Sequence, residues 1–146
     1  RNATMGRAGS KLVQADKASW RQPHALQINT QVRDVQLSLV AQLKSPVKLC
    51  WHSVEVHGMQ LENWYITDDS FIAEFRDVDG LQIFPSHTRP TQTVVKKLTL
   101  TDDVKQRLCK VCGATNYSLA LRNSEHLAKY VAGGCWLSLQ MVGASR

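Results

Sequence analysis

Four cysteines and five histidines hold the chain's strongest metal-ligating and nucleophilic potential. Cys109-Lys-Val-Cys112 has the spacing with which two thiolates grip one tetrahedral metal ion, and Cys135, or Cys50 with His52, could complete a zinc site. A single C-x₂-C pair is only half of the usual structural arrangement. On a helix, Cys112 falls near the apolar stripe and Cys109 on its flank, the placement of ordinary core cysteines, which are often buried as free thiols. A disulfide has no secretory signal to support it. Other reactive types form no constellation: G-x-S-x-G, Walker, G-x-G-x-x-G and H-E-x-x-H motifs are missing. Asp68-Asp69 and Asp102-Asp103 stand where a turn and a helix start favour acids. The sequence therefore predicts a non-enzymatic protein without catalytic residues, and catalysis would need a pocket joining distant groups such as His52, His57 and an acid. Trp20, Trp51, Trp64 and Trp136, with Tyr65, could stack on unpaired bases, although Trp51 and Trp136 lie inside apolar strands and suit packing.

The elements that must position these residues divide the chain at about residue 100. Leu26, Ile28 and Val32, then Val35, Leu37, Leu39, Ala41 and Leu43, alternate with polar residues and predict two strands. Ser45-Pro46 ends the second; Val47, Leu49 and Trp51 begin a third, with a bulge expected near Ser53 where Val54 and Val56 continue in the opposite phase. Further strands are expected over 61–66, 70–75, 81–84 and 93–100, separated by turn-forming residues. Beyond them the period becomes helical. Thr101 caps a helix bearing Val104, Leu108, Val111 and Cys112 and stopped by Gly113. Tyr117, Leu119 and Leu121 predict a strand; Asn123 or Ser124 starts a helix through Leu127, Tyr130 and Val131 that ends at Gly133-Gly134. Cys135, Leu137, Leu139 and Met141 predict the last strand. The expected fold is α+β, a mainly antiparallel sheet, open or rolled into a barrel, with two short helices in the C-terminal third.

Charge is distributed unevenly. The 146 residues carry a net +6, with 43% hydrophobic and 21% charged residues, which is ordinary for one globular domain. No run of roughly 18 apolar residues offers a membrane span. Residues 1–23 hold five bases against Asp16 alone and read as a basic extended arm ahead of a single domain over 24–146. The first fifteen residues lack acids and contain Arg, Ser, Ala and Gly. The remainder of a mitochondrial or other organellar transit peptide has this composition, and so does a cloning remnant; Arg at position 1 fits a processed product or a fragment. The Asn-x-Ser/Thr patterns at Asn2 and Asn116 lack the secretory context they require. Residues 55–79 carry seven acids against Arg76, whereas residues 80–146 carry nine bases against three acids. Such a map suits an anionic partner met by the arm and the C-terminal third, with the acidic middle facing protein or solvent; it also suits a mixed solvated surface.

The stretch from Cys109 resembles the organellar members of the ribosomal small-subunit protein eighteen family: Cys109, Cys112 and Gly113, then Arg122-Asn123, Leu127, Tyr130 and Val131, then Gly134-Cys135 and Gly143. That resemblance implies a zinc or iron–sulfur centre on Cys109, Cys112 and Cys135, and ribosomal RNA bound by basic residues. The element order, with Gly-Gly before the last strand and Trp51 on an early one, is similar to the β-barrels of the Spen-orthologue C-terminal type and the activator-interaction domain of a Mediator subunit. That likeness implies a module binding acidic or phosphorylated peptides through Lys96, Lys97, Lys105, Arg107 and Lys110. Both lead to a structural subunit of a large assembly with other subunits as partners: first a ribosome-associated, RNA-contacting protein, and as the alternative a β-barrel module that binds acidic or phosphorylated peptides. The expected anion contacts are Arg7, Lys11, Arg21, Lys96, Lys97, Lys105, Arg107, Lys110 and Arg122.

Overall fold

A computed structural model describes residues 26–76, 80–86, 91–115 and 123–136. The basic arm, Arg122, the strand expected through Tyr117 and Leu121, and Leu137 to Met141 of the last expected strand lie outside these residues.

The first element is a helix, α1 (Thr30–Val40), where alternation predicts strand. Alternation placed Val35 and Leu37 on the same face as Leu39, but Val35 is 68% and Leu37 38% exposed. The inward stripe runs instead through Val32, Gln36, Leu39, Val40 and Leu43, which follow helical spacing. Asn29 fixes the start, its side chain accepting a hydrogen bond from Val32 N at 3.2 Å. The other expected early strand reduces to a single bridge between Ile28 and Ala114.

Five strands follow where apolar and β-branched residues predict them: β1 (Val47–Val56), β2 (Met59–Thr67), β3 (Phe71–Arg76), β4 (Gly80–Pro85) and β5 (Thr93–Leu98). The described sheet is open, in the order β4-β3-β2-β1-β5, with every pair antiparallel. A two-residue turn at His57-Gly58, with φ of 52° and 78°, closes the β1–β2 hairpin; paired positive φ values match the twist of the strands they join. Pairing of β1 with β2 runs unbroken through Ser53, so the expected change of face does not occur there. Val54 lies on the same side as Cys50 and His52, and both faces of β1 carry apolar residues. The irregularity lies between β1 and β5, where Lys96 pairs with Leu49 and Val94 with Cys50, leaving Val95 as an extra residue.

Helix α2 (Asp102–Val111) begins at Thr101, whose hydroxyl accepts from Val104 N, with Asp102 and Asp103 at its positively polarised start. Helix α3 (Ser124–Gly133) opens with reciprocal Asn123 and His126 bonds and ends at left-handed Gly134. The helices cover one sheet face: Leu108, Val111, Leu127, Tyr130 and Val131 pack with Val47, Leu49, Trp64, Ile66, Leu81 and Ile83. Cys50, Tyr65 and Ile72, with Phe84 against them, form a smaller cluster on the opposite face. Among the described residues no helix is long and apolar enough to cross a membrane.

Candidate partner-binding edge

An open sheet has two edges, each with a row of backbone N–H and C=O groups that seek partners. Here one edge is closed from within the chain. Leu81 N on β4 donates to Ala114 O at 3.0 Å, and Gly113 N donates to Leu81 O at 2.8 Å. Ile83 N donates to the side-chain oxygen of Gln36 on α1 at 2.9 Å. The strap at 113–115 is held on its other side by Asn29 N donating to Gly113 O at 2.9 Å and Thr115 N donating to Gln27 O at 2.8 Å. Gly113 has φ of +79°, and an added Cβ would lie 2.7 Å from Asn29 O, so both backbone conformation and space require glycine.

Strand β5 forms the opposite edge, and its only strand partner among the described residues is β1. Residues 93–97 are all exposed, including Val94 at 49% and Val95 at 48%. Lys96 pairs with Leu49 and lies on the helix-bearing side; Lys97 pairs with Lys48 and lies on the other. Lys48 reaches Asp69 at 2.7 Å, which offsets the like-charge pair from the β1 side. Among the described residues no carboxylate forms an ion pair with Lys96 or Lys97. Sequence reading picked out these two lysines but not Val94 and Val95. Their signal is legible: a Thr-Val-Val run that does not alternate leaves apolar groups on both sides of a strand.

Other expected anion contacts are placed differently. Lys110 is exposed and Lys105 half-buried on α2. Arg107 donates from Nε to Val131 O at 3.0 Å and so serves the carbonyl end of α3. Lys129 also turns inward, 2.6 Å from the fully buried Glu125 and 5.0 Å from the centre of the Trp64 ring. Arg7, Lys11, Arg21 and Arg122 lie outside the described residues.

The cysteine pair lies at the end of α2, and its environment suits packing. Cys112 caps the helix within the apolar core, and burial, followed by the neighbouring Cys109, pushes its thiol up to about 12, with Arg33 opposing. Cys109 is half-buried and Cys135 exposed, and among the described residues no three His, Cys, Asp or Glu side chains gather as metal ligands.

Cys50 is not a primed nucleophile either. Burial pushes Cys50 up to about 11, Lys48 opposing and Asp69 adding to the rise, so its thiol stays protonated near neutrality. His52 Nε2 lies 3.1 Å from the Asn63 amide nitrogen, which donates to Glu74 Oε1 at 2.7 Å, while Tyr65 donates its hydroxyl proton to Gln92 at 2.6 Å. These bonds tie the lower face together. His57 is in the hairpin turn, and Asp68 accepts from Ser70 N, Phe71 N and Lys44 N as a turn residue. Trp64, Tyr65 and Trp136 are buried, Trp136 stacked against His126 at 5.3 Å, so none offers an exposed ring. No family model, curated protein or solved structure matches this chain.

Proposed function

We propose that the chain is a non-enzymatic subunit of a larger assembly that holds an acidic protein partner. The observation that carries this reading is the exposed β5 edge, where Lys96 and Lys97 lack carboxylate partners among the described residues. The net +6 and the C-terminal bases equally attract RNA phosphates, the basis of a ribosome-associated, RNA-contacting role in an organelle such as the mitochondrion. Two features favour protein: the inward use of Arg107 and Lys129, and the burial of Trp64, Tyr65 and Trp136, which leaves Trp51, half-buried against the core, as the remaining described ring among the stacking candidates.

The test is fluorescence anisotropy of the purified chain with a labelled acidic peptide and, separately, a labelled single-stranded RNA at physiological salt. Saturable binding of the peptide, with RNA at least tenfold weaker, is expected. RNA binding that is tighter than peptide binding and falls steeply with salt would replace this reading with the ribosomal one.

A further inference from the structure

We infer that β5 receives an extended acidic segment of the partner as an added strand, with the partner's backbone pairing to its outer edge. This rests on the proposed reading and adds the mode and sequence of recognition. Strand addition needs an unpaired backbone row of sufficient length that side chains do not cover. Six residues at about 3.3 Å each give β5 a run of about 20 Å, enough for a short peptide. The opposite edge is unsuitable, because Gly113, Ala114 and Gln36 already bond its backbone.

The lysines select the occupant. Side chains directly opposite each other in a sheet share a face, so a strand beside Lys96 and Lys97 presents one residue to each face. Two neighbouring acids on the incoming strand therefore meet the two lysines, one on each side of the sheet. An apolar residue of that strand then meets Val94, which is exposed on the Lys97 side. A second copy of this chain is a poor occupant, since edge-to-edge pairing would bring two lysine-bearing strands together. The extra residue at Val95 bends the edge and restricts the register in which a strand can lie. The recognised segment is thus an extended acid-acid stretch flanked by β-branched residues.

The experiment uses the whole chain and three synthetic peptides: an eight-residue peptide with a central Asp-Glu pair between valines, the same peptide N-methylated at alternate residues, and one with its acids two residues apart. N-methylation leaves charge intact but removes backbone donors. The unmodified peptide is expected to bind at least tenfold more tightly than the N-methylated one, and several-fold more tightly than the peptide with both acids on one face. K96E/K97E is expected to lose binding at least tenfold while keeping its circular dichroism; K110E, off the edge, is expected to change it less than threefold. Equal binding of unmodified and N-methylated peptides would overturn strand addition and leave the acidic-partner reading standing. Failure of every peptide to bind would overturn both.

Discussion

The two sheet edges are built from similar strands, six residues each, yet the chain treats them oppositely. At β4 a glycine strap and the Gln36 side chain of α1 satisfy backbone groups that would otherwise face water. At β5 lysines and exposed valines stand on an edge that no strap covers among the described residues. The closed edge uses residues that are costly to change: positive φ at Gly113 and a buried approach to Asn29. The open edge uses residues that cost the fold little. A surface that contributes little to stability can follow the demands of a partner, which is the physical basis for assigning binding to β5 rather than β4.

Breaking the closed edge gives the largest expected effect. Gly113→Ala forces a Cβ into a left-handed conformation and against Asn29 O, and a loss of about 2–3 kcal/mol is expected by urea unfolding. Alkaline titration tests the same region more gently. Burial holds the Cys112 thiol protonated in the folded state, raised from 9.0 to about 12. A raised folded value means that this contribution is fully present below about pH 9 and lost as pH rises toward 12. Stability should fall across that window, and Cys112→Ala should flatten the fall. Gln36→Met removes the acceptor for Ile83 N at nearly constant volume, with an expected cost of about 1 kcal/mol and faster exchange of that amide. The smallest effect is at the open edge: K96A/K97A is expected to change unfolding free energy by less than about 0.5 kcal/mol, as exposed substitutions do. A loss there as large as that of Gly113→Ala would erase the distinction between the edges.

Sequence patterning revealed the sheet and the last two helices because their signals agree. Thr101 and Asp102 mark the start of α2 and left-handed Gly113 follows its end, while Val104, Leu108 and Val111 mark its buried stripe. Around α1 the signals conflict. Val35, Leu37 and Leu39 alternate as in a strand, and only the Asn29 cap and the spacing of Val32, Gln36, Leu39 and Val40 betray a helix. The apparent change of face on β1 arose because Val54 belongs to a strand with apolar residues on both sides, a property of the whole sheet rather than of local spacing. Lys96 and Lys97 were legible as an anion patch. That they lie on an edge with no further strand among the described residues follows from the position of β5 beside β1, opposite β4, which depends on pairing between distant residues. The C-x₂-C pair shows the converse: its spacing suggests a metal, while the fold places Cys112 in the apolar core at the end of α2 and, among the described residues, gathers no three ligand side chains around it.

Amide hydrogen exchange, resolved by residue and followed with and without the acidic peptide, tests the contrast most directly. In the free chain, Leu81 and Ile83 should be protected and the outward-facing amides of residues 93–97 should exchange at rates near those of an open strand; the peptide should slow the latter alone. Equal protection of both edges in the free chain, or peptide protection at Leu81 and Ile83 with β5 unchanged, would contradict the assignment.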